Sequence, residues 1–163
     1  MADVAEVLSM LVSRAATVAV AESLTGGLIG AAITSVSGSS KAFRGGVISY
    51  ATDLKRELLG VPEELLRREG AVHPEVAAAM AAGVARLCGA TYGLAVTGVA
   101  GPEPQDGRPV GTVHAAVSGP GGQIWARELR LRGSRERIRV KTVDEAVDLL
   151  SGVLKANKGE HSG

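Results

Sequence analysis

A chain of 163 residues, 45 % of them hydrophobic, is long enough to bury a sound core as one domain, and with 2 % aromatic residues that core must be built from Ala, Val, Leu and Ile. Eighteen Lys and Arg against 17 Asp and Glu leave a net charge of +1, which with so few stacking aromatics excludes a general binder of nucleic acid or anionic membrane. Cys88 is the only cysteine, so an intrachain disulfide and a Cys-based metal cluster are excluded; no apolar run nears the roughly 20 residues that span a bilayer, and the acids of Met1-Ala2-Asp3-Val4-Ala5-Glu6 stand where a signal peptide needs bases, so a soluble cytoplasmic protein is expected.

Val4, Val7, Leu8, Leu11 and Val12 recur at helical spacing and predict an amphipathic helix over residues 3–15. A short apolar run predicts the first strand at 17–21, and Leu28, Ile29, Ala32 and Ile33 predict a helix over about 26–36. Between them lies Ala21-Glu22-Ser23-Leu24-Thr25-Gly26-Gly27, the turn around which the chain is organised. Ser37-Gly38-Ser39-Ser40-Lys41 is a polar loop, either a plain solvent turn or one that approaches a ligand. Gly46 to Tyr50 reads as a second strand. Thr52 or Asp53 then caps a short helix that Gly60 stops, and Pro62 opens another through about Glu69.

His73 is placed to cap the next helix, residues 74–88, whose alanines permit close approach to a sheet or another helix. With no second His or acid at metal spacing, it reads as structural rather than as a ligand. Tyr92 to Thr97 is a third strand, apolar almost throughout, as for a strand covered on both faces. Beyond a long loop, Val110 to Val117 and Ile124 to Leu131 form an antiparallel hairpin across Gly119-Pro120-Gly121-Gly122. Ser134 caps a last helix with Val143, Ala146, Val147, Leu150 and Leu154 as its core stripe. No repeat or linker divides the chain, so a single domain over residues 1–157 is expected, with residues 158–163 as a disordered tail.

This order predicts an α/β fold: a three-layer α/β/α sandwich with a mixed, mostly parallel central sheet and an antiparallel hairpin near the C-terminus. Ligands of such sheets bind at the carboxyl ends of the parallel strands. Ser23, Tyr50 and Thr97-Gly98 all fall at or just after those ends. A hydroxyl at a strand-to-helix turn meets converging N–H groups and a favourable helix dipole, which makes Ser23 a candidate nucleophile and the amides of Thr25, Gly26 and Gly27 candidate oxyanion donors. The plainer alternative is that Ser23 or Thr25 caps the helix and the glycines relieve crowding.

A nucleophilic serine needs a base. His73, His114 and His161 do not sit at strand ends beside an orienting acid, so a Ser-His-Asp triad is not expected. Lys55 can serve if burial lowers its pKa, with Tyr50 passing a proton between Ser23 and Lys55 or fixing the lysine. Taken alone, these two read rather as an ordinary solvated lysine and a half-buried strand aromatic; their joint placement with Ser23 on one rim is what favours the functional reading. Thr97-Gly98-Val99-Ala100-Gly101-Pro102 can cradle a phosphate, a sugar or an amide through its N–H groups. Arg135 and Arg139, one helical turn apart, can reach a phosphate together. There is no Walker lysine pattern and no complete dinucleotide fingerprint, and neither a metal nor an organic cofactor is expected.

Glu22-Ser23-Leu24-Thr25-Gly26-Gly27, Gly38-Ser39-Ser40, Phe43-Arg44-Gly45-Gly46, Tyr50, Lys55, Leu59-Gly60-Val61, Gly70-Ala71-Val72, Thr97 to Pro102, Pro109 to Val113 and Gly133-Ser134-Arg135 stand in an order and spacing that resembles the C-terminal domain of the CinA family, from about residue 4 to 155. The resemblance implies a stand-alone nicotinamide-mononucleotide amidase, which hydrolyses the carboxamide to the acid and releases ammonia for pyridine nucleotide recycling. It implies Ser23 as nucleophile, Lys55 as general base, Tyr50 as the tyrosine that assists them, Ser40 as a supporting serine and Arg135 as the arginine for the substrate phosphate. Thr25, Gly26, Gly27, Ser39, Thr97, Gly98 and Gly101 complete the expected substrate-binding set. His73 stands where many relatives have a small hydroxyl residue, a departure confined to a helix cap, and Thr97 where some have serine. The nucleotide-processing N-terminal domain of longer relatives is not in this sequence, so no metal-dependent pyrophosphatase activity is expected. A second reading from another class is a non-catalytic pyridine-nucleotide-binding module or partner of a separate protein; Ser23, Tyr50 and Lys55 together favour the enzyme. The Ala-rich helix and the edge hairpin point to a homodimer.

Overall fold

Alternation within the strands sorts the core by side-chain size. In β1 (Val18–Glu22), Val18 and Val20 face one side of the sheet and Ala19 and Ala21 the other. The same division runs through β3 (Tyr92–Gly98), where Leu94 and Val96 share the first side and Ala95 the second. The larger residues pack against α1 (Val4–Ser13), α2 (Leu28–Thr34) and α6 (Arg135–Ala156), through Leu8, Leu11, Ile29, Ile138 and Leu150 among others. The smaller ones lie under α3 (Thr52–Leu59), α4 (Glu63–Glu69) and α5 (Pro74–Cys88).

Two glycines let α5 lie close. A Cβ at Gly83 would stand 1.9 Å from the Leu59 carbonyl oxygen, and one at Gly93 1.9 Å from the Ala81 carbonyl oxygen. The computed structural model describes residues 3–157, and the expected tail at 158–163 lies outside them.

Together with β2 (Phe43–Ile48), β4 (Thr112–Ser118) and β5 (Ile124–Arg130), the strands form one five-stranded sheet in the order β2-β1-β3-β4-β5. β1 pairs parallel with β2 and β3, and β4 is antiparallel to both its neighbours. Four strands therefore run one way and β4 alone runs back. This is the expected three-layer α/β fold with a mixed sheet and a C-terminal hairpin.

Several boundaries differ from the reading of the sequence. β2 spans Phe43–Ile48 rather than Gly46–Tyr50, because its pairing to β1 starts at Val18 opposite Phe43 and ends at Glu22 opposite Ile48. The helix after it is capped by Ala51 through its backbone alone, not by Thr52 or Asp53. Pro62 is the cap of α4 rather than its first residue. His73 does cap α5, its Nδ1 accepting from the Glu75 N–H at 3.1 Å, and Ser134 caps α6 by accepting from the Arg137 N–H at 3.1 Å.

Candidate active site

The chain leaves β1 toward one neighbour and returns, through β3, on the other, so the sheet divides at the carboxyl ends of β1 and β3. Such a division opens a crevice at that rim. Because β4 reverses direction, β5 also ends there, and the chain after it delivers Arg135 to the same rim. A recess of about 140 Å³ lies in the crevice, lined by Ser23, Leu24, Tyr50, the backbone-rich stretch Gly98 to Gly101, Glu103, Gln105 and Arg135.

Ser23, 6 % exposed, is the first residue past β1. The residue before it shapes the turn. Glu22 is buried, and its carboxylate accepts from the N–H groups of Ile29 at 2.8 Å and Gly30 at 3.0 Å. The start of α2 is thus capped by Glu22, and neither Ser23 nor Thr25 caps it. The cap residue itself is Gly27, at φ 110°, preceded by Gly26 at φ 56°, left-handed conformations that L side chains adopt at a cost. The Gly26 N–H donates to the Ser23 carbonyl at 3.1 Å, which removes it from the expected oxyanion donors. The Thr25 hydroxyl is buried with no partner among the described residues and is not part of the recess lining.

Lys55 reaches this turn from the opposite helical layer. Although it is 1 % exposed, its Nζ donates to Ser23 Oγ at 3.0 Å, to the Ser49 carbonyl at 2.7 Å and to the Tyr50 carbonyl at 3.4 Å. All three acceptors are uncharged. Burial therefore lowers its pKa from 10.5 to about 8, opposed in part by the charge of Asp106. Asp106 is held by the Ala71 N–H, which donates to its carboxylate at 3.0 Å.

Tyr50 is placed differently from the expectation of a phenol between Ser23 and Lys55. β2 stops at Ile48, so Tyr50 lies past the strand with its side chain 61 % exposed. Its backbone carbonyl faces the lysine, and its hydroxyl accepts from Arg135 at 3.3 Å. Arg135 also donates to the Gly101 carbonyl. Arg139 does not join it at the recess: its guanidinium donates to the carbonyls of Leu24 at 2.9 Å and Thr25 at 3.3 Å, clamping the turn from the α6 side.

Three more expected residues lie elsewhere. The Thr97 hydroxyl is buried and donates to the Ala71 carbonyl at 2.8 Å, a structural strap rather than a recess group. Ser39 and Ser40 form a 3-10 turn just before β2, at the amino ends of the parallel strands. A strand of this length separates them from Ser23 by roughly 15 Å, so this chain does not bring them to its own recess. Gly98 and Gly101 do line it, and a Cβ at Gly98 would meet the Thr112 carbonyl oxygen at 2.7 Å.

Glu22, Asp106, Glu103 and Gln105 are the site residues that sequence reasoning missed. Glu22 carried a usable signal, since a carboxylate closing an apolar strand must be buried with a partner. Among the described residues, no group of three or more His, Cys, Asp or Glu side chains could hold a metal ion, and no helix is long and apolar enough to cross a membrane.

The sequence model of the CinA C-terminal domain family matches residues 2–154. The chain belongs to the CinA C-terminal domain family. A CinA-like protein from Frankia casuarinae is 57 % identical over 148 residues, covering 91 % of this chain and 34 % of that protein. One from a Synechococcus strain is 53 % identical, covering 88 % of this chain and 35 % of that protein. The chain thus spans about a third of the length of the curated relatives it matches. Solved CinA structures match it almost end to end. The crystal structure of a CinA superfamily protein from Klebsiella pneumoniae has a TM-score of 0.90 at 32 % identity, covering 94 % of this chain and 96 % of that one. That of the competence/damage inducible protein CihA from Agrobacterium tumefaciens has a TM-score of 0.85 at 36 % identity, covering 95 % and 97 %.

Proposed function

We propose that this CinA-family chain is a serine–lysine amidohydrolase that converts nicotinamide mononucleotide to nicotinate mononucleotide and ammonia. The observation that carries the reading is the buried Lys55 amine within 3.0 Å of Ser23 Oγ, hydrogen-bonded to no carboxylate and opposed in its lowered pKa only in part by the charge of Asp106. In its neutral form the amine accepts the serine proton directly, with no relay through Tyr50.

Ser23 Oγ bonds to the carboxamide carbon as its proton passes to Lys55. The resulting oxyanion sits against the backbone N–H of Leu24, which lines the recess and has no acceptor among the described residues. The C–N bond then breaks as the Lys55 ammonium returns the proton to the departing nitrogen, giving ammonia and an acyl ester on Ser23. Water, deprotonated by the neutral lysine, attacks that ester; Ser23 leaves with the proton and the acid is released.

The recess size supports the assignment of parts. At about 140 Å³ it suits a small heteroaromatic amide and falls below the ~300 Å³ where pockets for whole drug-sized ligands begin. Sugar and phosphate then lie at the mouth, where Arg135 spends its N–H groups on two neutral oxygens and can turn to an anion.

Ammonia release from nicotinamide mononucleotide tests the reading. The wild-type chain should release one equivalent per substrate, while Ser23→Ala and Lys55→Ala lose at least about a thousandfold in kcat. Activity that survives in Ser23→Ala removes the serine from its role. Binding without turnover in the wild type makes the chain a pyridine-nucleotide-binding module instead.

A further inference from the structure

The mouth of the recess carries one carboxylate and one guanidinium, Glu103 and Arg135. They are not paired with each other. Arg135 is held by the Gly101 carbonyl and the Tyr50 hydroxyl, both uncharged. Arg108 pairs with Glu69, and Arg130 with Glu128, while Glu103 has no ion pair among the described residues. Glu103 is exposed, in the loop that leaves β3, two residues beyond the Gly101 that anchors Arg135. An unpaired carboxylate lining a small recess repels anionic ligands unless it meets a positive charge on the ligand, and the one cation of the lining, Arg135, is turned to other partners.

We propose that Glu103 is a specificity-determining residue of this recess, its carboxylate selecting carboxamides whose ring carries a positive charge. The inference rests on the amidase reading for the identity of the ligand and goes beyond it in naming the group that reads the ring. Arg135 and Glu103 then form a two-pole mouth: the guanidinium takes the anionic end of a dipolar substrate and the carboxylate the cationic ring. A pyridinium also makes its own carboxamide carbon more electrophilic, so the same charge that Glu103 favours on binding assists attack by Ser23. Because Glu103 is solvent-exposed, the preference is a modest one, about three- to tenfold, and it weakens with added salt.

Two ligands isolate the charge: nicotinamide mononucleotide and its ring-reduced form, which keeps the carboxamide, sugar and phosphate but has an uncharged ring. Their dissociation constants are measured by calorimetry at pH 8, where the reduced form is stable, on Ser23→Ala protein so that nothing is consumed. Glu103→Gln should weaken the cationic ligand about three- to tenfold and leave the uncharged one within about twofold. Glu103→Asp should restore most of the preference, and 0.5 M salt should erode it in the parent but not in Glu103→Gln. Equal loss of both ligands in Glu103→Gln, or no loss of either, overturns the proposal. Absence of turnover in the wild type with the charge preference intact defeats the amidase reading and leaves this one standing; no binding of either ligand to the parent defeats both.

Discussion

Lys55 Nζ and Ser23 Oγ lie 3.0 Å apart although they come from different layers of the sandwich, one from α3 and one from the turn after β1. What makes the contact chemically useful is the rest of the lysine's surroundings, two backbone carbonyls and almost no water. With a pKa of about 8, about a tenth of the lysines are neutral at pH 7 and most are neutral at pH 9. The amidase reading therefore predicts that kcat/KM rises with pH through a single limb centred near 8. Lys55→Arg, which cannot lose its proton in this range, should abolish activity and the limb with it. A limb near 10.5 in the wild type, or none, would separate the lysine from proton transfer.

The same burial has a consequence for stability, and its sign is opposite to that of a paired lysine. The folded-state pKa of about 8 lies below the unfolded value of 10.5, so the unfolded chain binds the extra proton between them and stability rises with pH across that window. Below pH 8 the charged amine costs the fold about 3 kcal/mol. Lys55→Met removes that cost but leaves the buried Ser49 carbonyl without its donor, a loss of about 1–3 kcal/mol. Urea unfolding should find Lys55→Met more stable than the wild type by about 1 kcal/mol at pH 7, and less stable by pH 10. A difference that does not change with pH would contradict the depressed pKa.

The layers, the hairpin and the gathering of Ser23, Tyr50 and Gly98 at one rim were legible because each rests on local pattern. Val18 to Ala21 reads as a short apolar strand and Tyr92 to Thr97 as one covered on both faces, and strand ends fix where turns go. The sequence places β2 three residues late at its start and two at its end, because Gly45 and Gly46 weaken any strand signal there. It is pairing to β1, with Gly46 so close that a Cβ would lie 2.3 Å from the Val20 carbonyl oxygen, that makes Phe43–Ile48 a strand. Arg135 was found at the site from likeness to a family. Its physical route there, the reversal at β4 that returns β5 to the same rim, is a matter of topology that spacing alone does not carry. The same holds for Arg139, which looked like a second phosphate ligand and instead grips the Leu24 and Thr25 carbonyls. Ser39 and Ser40, expected from a family motif, lie within this chain at the amino ends of the parallel strands, a placement that the motif does not carry.

Close packing of α5 predicts an inverted response to a normally favourable change. Gly→Ala in a helix interior usually stabilises by up to ~1 kcal/mol. At Gly83 the new methyl would overlap the Leu59 carbonyl oxygen, backbone that cannot swing aside, at 1.9 Å. Gly83→Ala should therefore cost at least about 3 kcal/mol, the scale of severe overpacking. Gly152→Ala in α6, where a Cβ meets nothing within 4 Å, is the control and should be neutral or stabilising. Thermal unfolding of the two variants checks the contrast, and similar shifts in both would mean that the α5 contact is looser than described.

Glu22 offers the last test, because it joins the stability of α2 to the geometry of Ser23. Its carboxylate takes the N–H groups of Ile29, buried, and Gly30, half-buried, while its own carbonyl accepts at 2.8 Å from the N–H of Ser49, the residue whose carbonyl accepts from Lys55. Glu22→Ala strands both amides and should cost about 2–4 kcal/mol, whereas Glu22→Gln keeps one acceptor and should cost about half as much. The side chain does not line the recess, so substrate affinity should change little in Glu22→Gln. What should fall is kcat, because the turn that aims Ser23 at Lys55 is held from one side by Glu22 and from the other by Arg139. A rise in KM with kcat unchanged would place Glu22 among the groups that contact substrate and refute its role as a positioning residue.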